Sequence, residues 1–264
     1  MMEGRFLFLG TGAAFGIPQV ACTCSVCSSS SLKNKRLRSS GLLLLHKKKL
    51  LIDAGHDFRQ QALKFALQHL DGILFTHLHA DHIAGCDDLR NYYYVHHKSL
   101  PCLLSVETKQ ELMQRFYYLF AGGYAAPFFD FCEMKENSGS TRFAGIDISY
   151  VSYFQGDVKV MGYRVGNFAY LTDVGKYDDA IFDHLRGVDI LAMSALRHET
   201  TAMHLGLDDA LVFAKNVGAK KTYFTHISHA MDHESISADL PPGFFLAYDG
   251  LELPFTYAED HGAK

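Results

Sequence analysis

Four residues with the chemistry of metal ligands, His77, His79, Asp81 and His82, fall within six positions behind the apolar run Gly72-Ile73-Leu74-Phe75. The run has strand character, so it carries the chain to a sheet edge, and the residues after Thr76 open into a loop where polar groups can converge. In an extended segment side chains i and i+2 point the same way, so His77 and His79 share a face and can grip one ion. Asp81 and His82, on the turn that follows, serve a second ion, which two-metal hydrolytic sites place about 3.5–4 Å from the first. Mixed nitrogen and oxygen donors suit zinc, manganese or iron.

A second cluster precedes it. Cys22, Cys24 and Cys27 lie within six positions of a Ser-rich loop, and three thiolates can close on one zinc at bonds of about 2.3 Å. The alternative, three free surface thiols, would be an oxidation liability. Cys86, Cys102 and Cys132 are scattered through apolar or mixed surroundings and read as inert fillers.

The elements that must position these groups follow from periodicity. Residues 5–9 read as a buried strand, and Gly10-Thr11-Gly12 as a tight turn whose spacing misses the dinucleotide fingerprint. Residues 41–45 and 49–53 form a hairpin with a charged tip, and Asp53 closes its second strand. Residues 57–70 read as a helix with Asp57 at its N-cap and Phe58, Ala62, Phe65, Ala66 and Leu70 on one stripe. A partly helical segment over 83–97 carries His96 and His97, which lack ligand spacing. A strand over 100–106 and a helix over 107–120, with Leu112, Met113, Phe116 and Phe120 inward, come next. Residues 121–132, with two glycines, a proline and four aromatics, read as a packed loop or a lid, the lid being preferred. Strands dominate 143–173, and Asp173 ends the last of them at the same kind of edge as the histidine motif, where one oxygen per ion lets it bridge both. A helix over 178–185, a strand over 188–193, a His-bearing loop, a helix over 206–216 and a strand over 222–225 follow; the last ends on His226, a further ligand for the second ion.

With 264 residues, 48% of them hydrophobic, the chain can bury a large core, and one domain over 1–264 is expected. A net charge of −4 disfavours stable nucleic-acid binding, which rests on neutralised phosphates. The basic runs at 33–38 and 46–49 could touch a phosphate, but read first as solvated loops. No run of 18 apolar residues is present and no export signal is recognised, so a cytoplasmic protein without a membrane partner is expected. A homodimer is compatible with the sequence and not specified by it.

Thr-His-x-His-x-Asp-His after an apolar strand, preceded by Leu51-Ile52-Asp53-Ala54-Gly55, resembles the metallo-β-lactamase superfamily. With Asn167 to Asp173, Thr225-His226-Ile227-Ser228-His229, Asp249-Gly250 and the cysteine cluster, the resemblance narrows to the PhnP-like cyclic phosphodiesterases and spans nearly the whole chain. It implies an α+β fold, a four-layer αββα sandwich of two mixed sheets flanked by helices. It implies two divalent ions at the active site, one structural zinc whose fourth ligand is His229, and Asp53 bracing a metal-binding loop. It makes His204 a phosphate contact and general acid, a role its unperturbed pKa near 6.5 suits. Asp81 joins it in the catalytic set. The pattern departs at one place: the family's third imidazole for the first ion is here Gln155, since Met161-Gly162-Tyr163-Arg164 keeps its register. An amide oxygen is a harder, weaker donor, so the first ion is held less tightly and manganese gains on zinc.

The activity implied is hydrolysis of a cyclic or small phosphodiester. Two other readings stay open. One is a non-hydrolytic binding or cofactor-assembly relative with an impaired first site; the other is a tRNase Z-like nuclease, favoured by His198-Glu199 before His204 but lacking a long RNA-gripping arm. A flavodiiron oxidoreductase is excluded because Ala80 stands where a glutamate ligand is needed.

Overall fold

Alternation along the first strand, β1 (Met2–Gly10), sets the architecture. Phe6 and Phe8 enter one apolar layer, Leu7 and Leu9 another, so this sheet is covered on both faces. The computed structural model describes residues 1–120 and 128–258. Seven strands form the first sheet in the order β14 (Glu252–Tyr257), β1, β2 (Ser40–Leu45), β3 (Lys48–Ile52), β4 (Gly72–Leu74), β5 (Leu100–Ser105), β6 (Phe129–Met134). Pairing is antiparallel from β14 to β3 and parallel from β3 to β6. The second sheet repeats this plan: β7 (Ser138–Phe143), β8 (Ile146–Gln155), β9 (Val158–Val165) and β10 (Phe168–Leu171) pair antiparallel, then β11 (Ile190–Ser194), β12 (Lys221–Thr225) and β13 (Phe244–Leu246) continue in parallel.

Between the sheets lies a core built from both, including Phe6, Phe8, Leu43, Ile52, Leu74, Tyr163, Phe168 and Phe255. The parallel connections place helices outside. After the short α1 (Ser25–Ser28), helices α2 (Phe58–Lys64), α3 (Ala80–Ile83), α4 (Cys86–His96) and α5 (Val106–Arg115) give Phe58, Ile83, Leu89 and Leu112 to the first sheet's outer face. Beyond α6 (Tyr117–Phe120), helices α7 (Ile181–His184), α8 (Leu207–Val217) and α9 (His233–Asp239) give Ile181, Phe213, Val217 and Ile236 to the second. The result is the four-layer αββα sandwich of two mixed sheets. Among the described residues no helix is long and apolar enough to cross a membrane.

Several local expectations are corrected. The helix expected over 57–70 stops at Lys64, because Ala66 turns left-handed at φ 50° and the apolar residues beyond it pack from irregular chain. Asp57 makes no cap bond; its carboxylate accepts from the backbone N–H of Arg38 at 2.8 Å and its guanidinium at 2.9 Å. Met113 is exposed. Of the expected lid, 121–127 lie outside the described residues, whereas residues 129–132 belong to β6. In the basic run at 33–38, Arg36 is 2% exposed rather than solvated. Its guanidinium donates to Thr11 Oγ1 at 2.7 Å and Ala247 O at 2.5 Å and meets His233 Nδ1 at 2.9 Å. Burial lowers its pKa to about 10, and Asp249, raised by burial to about 6, accepts from Thr11 Oγ1 and the Leu37 N–H. This network ties the first turn to the last strands.

Candidate metal centre

Three of the predicted ligands, and Asp53 expected to brace them, gather where parallel strands end. Asp53 follows β3, His77 comes shortly after β4, Asp173 after β10 and His226 directly after β12. Asp53, Asp173 and His226 all hold φ between 55° and 60°. Such backbone costs about 1–3 kcal/mol for a non-glycine residue and persists only where the surroundings impose it, a pattern concentrated at functional sites. The loop after β3 lies hard against the histidine motif. A Cβ on Gly55 would stand 1.9 Å from the carbonyl oxygen of Asp81, so only glycine fits.

Asp53, fully buried, organises the first half of the site. Its carboxylate accepts from the backbone N–H and hydroxyl of Thr76, each at 2.7 Å, and from His82 Nδ1 at 2.7 Å. Because Thr76 Oγ1 spends its hydrogen on Asp53, the 3.0 Å contact with His77 must come from an Nδ1–H. With Nδ1 committed in both rings, Nε2 is the atom that His77 and His82 turn inward, and in His82 a bound ion would take the place of its second proton. His77 Nε2 meets His79 Nδ1 at 3.0 Å, and the buried His82 Nε2 has no hydrogen-bond partner.

The second half centres on Asp173. Its Oδ2 lies 3.2 Å from His82 Nε2, and its Oδ1 lies 3.3 Å from His226 Nε2 and 3.6 Å from His204 Nδ1. Asp81 Oδ2 is 3.2 Å from His82 Nε2 and 3.4 Å from His226 Nε2. Candidate triads thus share members: His77, His82 and Asp173; Asp81, His82 and His226; Asp173, His204 and His226. The electrostatics match a cation site. Burial opposes the charge of Asp81 and of Asp173, yet the imidazoles, chiefly His82 and His226, hold both well below the usual carboxylate range. In His82 the cost of burial is outweighed by Asp81, Asp53 and Asp173, which raise its pKa. Buried carboxylates and imidazoles crowded together, with nitrogen and oxygen atoms left unpaired between them, fit divalent ions that would replace the protons on the rings.

Gln155, at the end of β8, is 5% exposed and inside this cluster. Its Nε2 donates to Asp173 Oδ1 at 3.0 Å and lies 2.8 Å from His204 Nε2, while its Oε1 is buried without a partner. The oxygen, the only atom of the amide able to ligate, is the one left free. His204 does not keep an ordinary imidazole pKa: burial lowers it to about 4.

The cysteine cluster closes as a separate centre. Cys22, Cys24 and Cys27 place Sγ 3.2, 3.6 and 3.6 Å from His229 Nδ1. One ring nitrogen can donate or accept only one hydrogen bond, so three thiols around it need another explanation. Tetrahedral zinc with bonds of about 2.3 Å to sulfur and 2.0 Å to nitrogen puts these atoms about 3.5 Å apart. The Cys27 N–H bonds to Cys24 Sγ and is the main reason that thiol's pKa falls to about 6, towards the thiolate a metal requires.

Over the paired site opens a cleft of about 800 Å³. It is lined by Asp81, Gln155, Asp173, His204 and His226, and also by Phe15, Arg115 and Arg197. Arg115 and Phe15 were invisible to sequence reasoning. Arg115 sits in the last turn of an ordinary amphipathic helix, and Phe15, 69% exposed, in a loop. His198 and Glu199, the nuclease-like pair, are exposed and not among the lining residues.

Residues 48–227, more than half the chain, match the β-lactamase superfamily domain. A diphosphatase of the PhnP family superposes with TM-score 0.90 at 37% identity, covering 96% of this chain and 98% of that one. The chain therefore belongs to the β-lactamase superfamily, in its PhnP branch. Zn2+-bound PqqB from Methylobacterium extorquens shares the fold, with TM-score 0.76 at 19% identity over 94% of this chain and 99% of that one. An octanoyltransferase from Porphyromonas gingivalis is 31% identical over 253 residues, which are 94% of this chain and 51% of the relative. The chain spans about half the length of that protein, so its transferase activity is not carried over.

Proposed function

We propose that the protein hydrolyses a small or cyclic phosphodiester, a reading supported by its similarity to a diphosphatase of the PhnP family, which also cleaves a bond at phosphorus. The observation that carries this reading is Asp173, a buried carboxylate that clusters with His77 and His82 on one side and with His204 and His226 on the other, and so stands between the ligands assigned to the two ions. His77, His79, Gln155 Oε1 and Asp173 would hold the first ion, and Asp81, His82, His226 and Asp173 the second. When bound, such an ion pair lowers the pKa of a water from about 16 towards 7 and so supplies the nucleophile.

The chain's own residues do the rest. Asp53 fixes the tautomers of His77 and His82. Arg115 and Arg197, on the cleft wall, can neutralise non-bridging phosphate oxygens, and Phe15 offers an apolar face to the organic group. The cleft suits a ligand of nucleotide size. His204, kept neutral by burial, serves as a hydrogen-bond donor to the leaving oxygen. The direct test is metal content per chain on protein purified without chelators, together with turnover of a generic phosphodiester. Near-zero occupancy of the paired site and no turnover would favour the non-hydrolytic reading.

Two expected results arise from these assignments. His204→Ala should keep its metals and lose rate mainly on substrates with poor leaving groups, by about 10²-fold; equal loss on good and poor leaving groups would assign His204 to binding. Gln155→His should raise the metal content of the paired site and shift its preference towards zinc, because imidazole is the softer, better-matched donor. The expected gain in apparent affinity is about 10- to 100-fold, the range ligand-sphere changes produce. Unchanged stoichiometry and affinity, read by elemental analysis and competition with a metal indicator, would remove residue 155 from the ligand set.

A further inference from the structure

His204 Nε2 lies 2.8 Å from Gln155 Nε2, and two nitrogens at that distance cannot both direct a hydrogen at the other. The orientation of the amide is fixed independently. Gln155 Nε2 is also 3.0 Å from Asp173 Oδ1, and an ionised carboxylate only accepts, so the group facing it is the NH2 and not the carbonyl. The amide nitrogen thus donates twice, once to Asp173 and once to His204. The nitrogen that receives is a lone pair, and a neutral imidazole then carries its single hydrogen on Nδ1. That Nδ1 is buried without a hydrogen-bond partner, 3.6 Å from Asp173 Oδ1, and its ring stacks on His226 at 5.7 Å between centroids.

We propose that Gln155 is a positioning residue that locks His204 in its Nδ1–H tautomer, placing the imidazole's only hydrogen on the nitrogen beside Asp173 and not on the one that faces Gln155. The glutamine makes three contacts possible at once: N–H to Asp173, N–H to His204, and an oxygen left for an ion. A histidine at 155 could not, because with one nitrogen on an ion it retains a single N–H. The exchange of imidazole for amide therefore trades strength of the first ion for a fixed donor. It also separates His204 from the ligands. Its distances to Asp173 and His226 would suit a third metal triad, but a nitrogen that carries hydrogen does not ligate.

The tautomer does not depend on the reaction; its catalytic consequence rests on the phosphodiesterase reading. The experiment is a two-bond proton–nitrogen correlation spectrum of histidine-labelled protein, metal-free and zinc-loaded, with His204 assigned by the signal lost in His204→Asn. Wild type should show the Nδ1–H pattern in both forms. Gln155→Met, of similar length without hydrogen bonds, should give mixed tautomers, and kcat on a phosphodiester with a poor leaving group should fall about tenfold at nearly constant KM. Metal content measured on the same samples keeps loss of an ion apart from loss of the restraint. An Nε2–H tautomer in wild type, or an Nδ1–H tautomer that survives Gln155→Met, overturns the proposal. Absence of turnover by zinc- or manganese-loaded wild type would instead remove the phosphodiesterase reading while leaving the tautomer readable.

Discussion

Asp173→Ala is expected to abolish phosphodiester turnover and empty the paired metal site. Among the described residues Asp173 is the carboxylate shared by two of the candidate triads, one with His77 and His82 and one with His204 and His226, so it stands between the ligands of the two ions. Changes to outer-shell partners alone cost metal sites about 10- to 100-fold, so loss of the bridging ligand should exceed about 100-fold and reach the buffer rate. Asp81→Ala and His226→Ala should do the same by removing ligands of the second ion. The fold should survive, because His82 keeps Asp53 and the sheets meet through an apolar core of which Asp81, Asp173 and His226 are not members. Asp173→Asn is the sharper control. Asparagine tolerates the left-handed backbone, φ 55°, that residue 173 holds, so the variant keeps the shape and loses only the charge. An Asp173→Asn protein that retains both metals and a tenth or more of the turnover would sink the bridging assignment.

What the sequence disclosed, and what it hid, divides along physical lines. The histidine motif was legible because metal chemistry needs particular residue types at short spacing, and the apolar run before it marks the strand that delivers them. The uninterrupted apolar run Phe6 to Leu9 exposed β1, because both of its faces are buried, one against the second sheet and one under helices. Strands at the sheet edges were hidden. Phe129–Met134 forms β6 with aromatics at 129 and 131 that are only half-buried, so its pattern merged with the irregular segment before it. Phe244–Leu246 is three residues long, and Glu252–Tyr257 contains Pro254, which a ladder tolerates only at an edge. Arg36 was misread because charge predicts exposure on average; its burial depends on Thr11, Ala247 and His233, partners far off in the chain. The role of Gln155 was half legible. Register located it in the site, but its two donor contacts, to Asp173 and His204, exist only once the ends of β8 and β10 meet the loop before α8.

Cys24→Ser should remove one zinc per chain and lower the melting temperature markedly while the paired site retains its capacity for metal. The four ligands join the loop at 22–27 to His229, with Cys27 and His229 202 residues apart in sequence. A cross-link closing so long a loop restricts the unfolded chain by an amount on the order of 5 kcal/mol. For a protein above about 150 residues each kcal/mol shifts the midpoint by about 2–4 °C, so a fall on the order of 10 °C is expected. Serine preserves the size of the side chain and its acceptor for the Cys27 N–H, so the change isolates the loss of a thiolate. The consequence should reach the active site more weakly. Gly12 pairs with Ile227, and Ala13 N–H bonds to Ile227 O at 3.0 Å, so backbone contacts still hold the segment that presents His226 when His229 is released. Turnover at saturating metal should therefore fall less than in Asp173→Ala, and zinc removed by a chelator from wild type should reproduce the thermal shift. Unchanged zinc content and an unchanged midpoint in Cys24→Ser would show that the cysteine cluster is not a structural site.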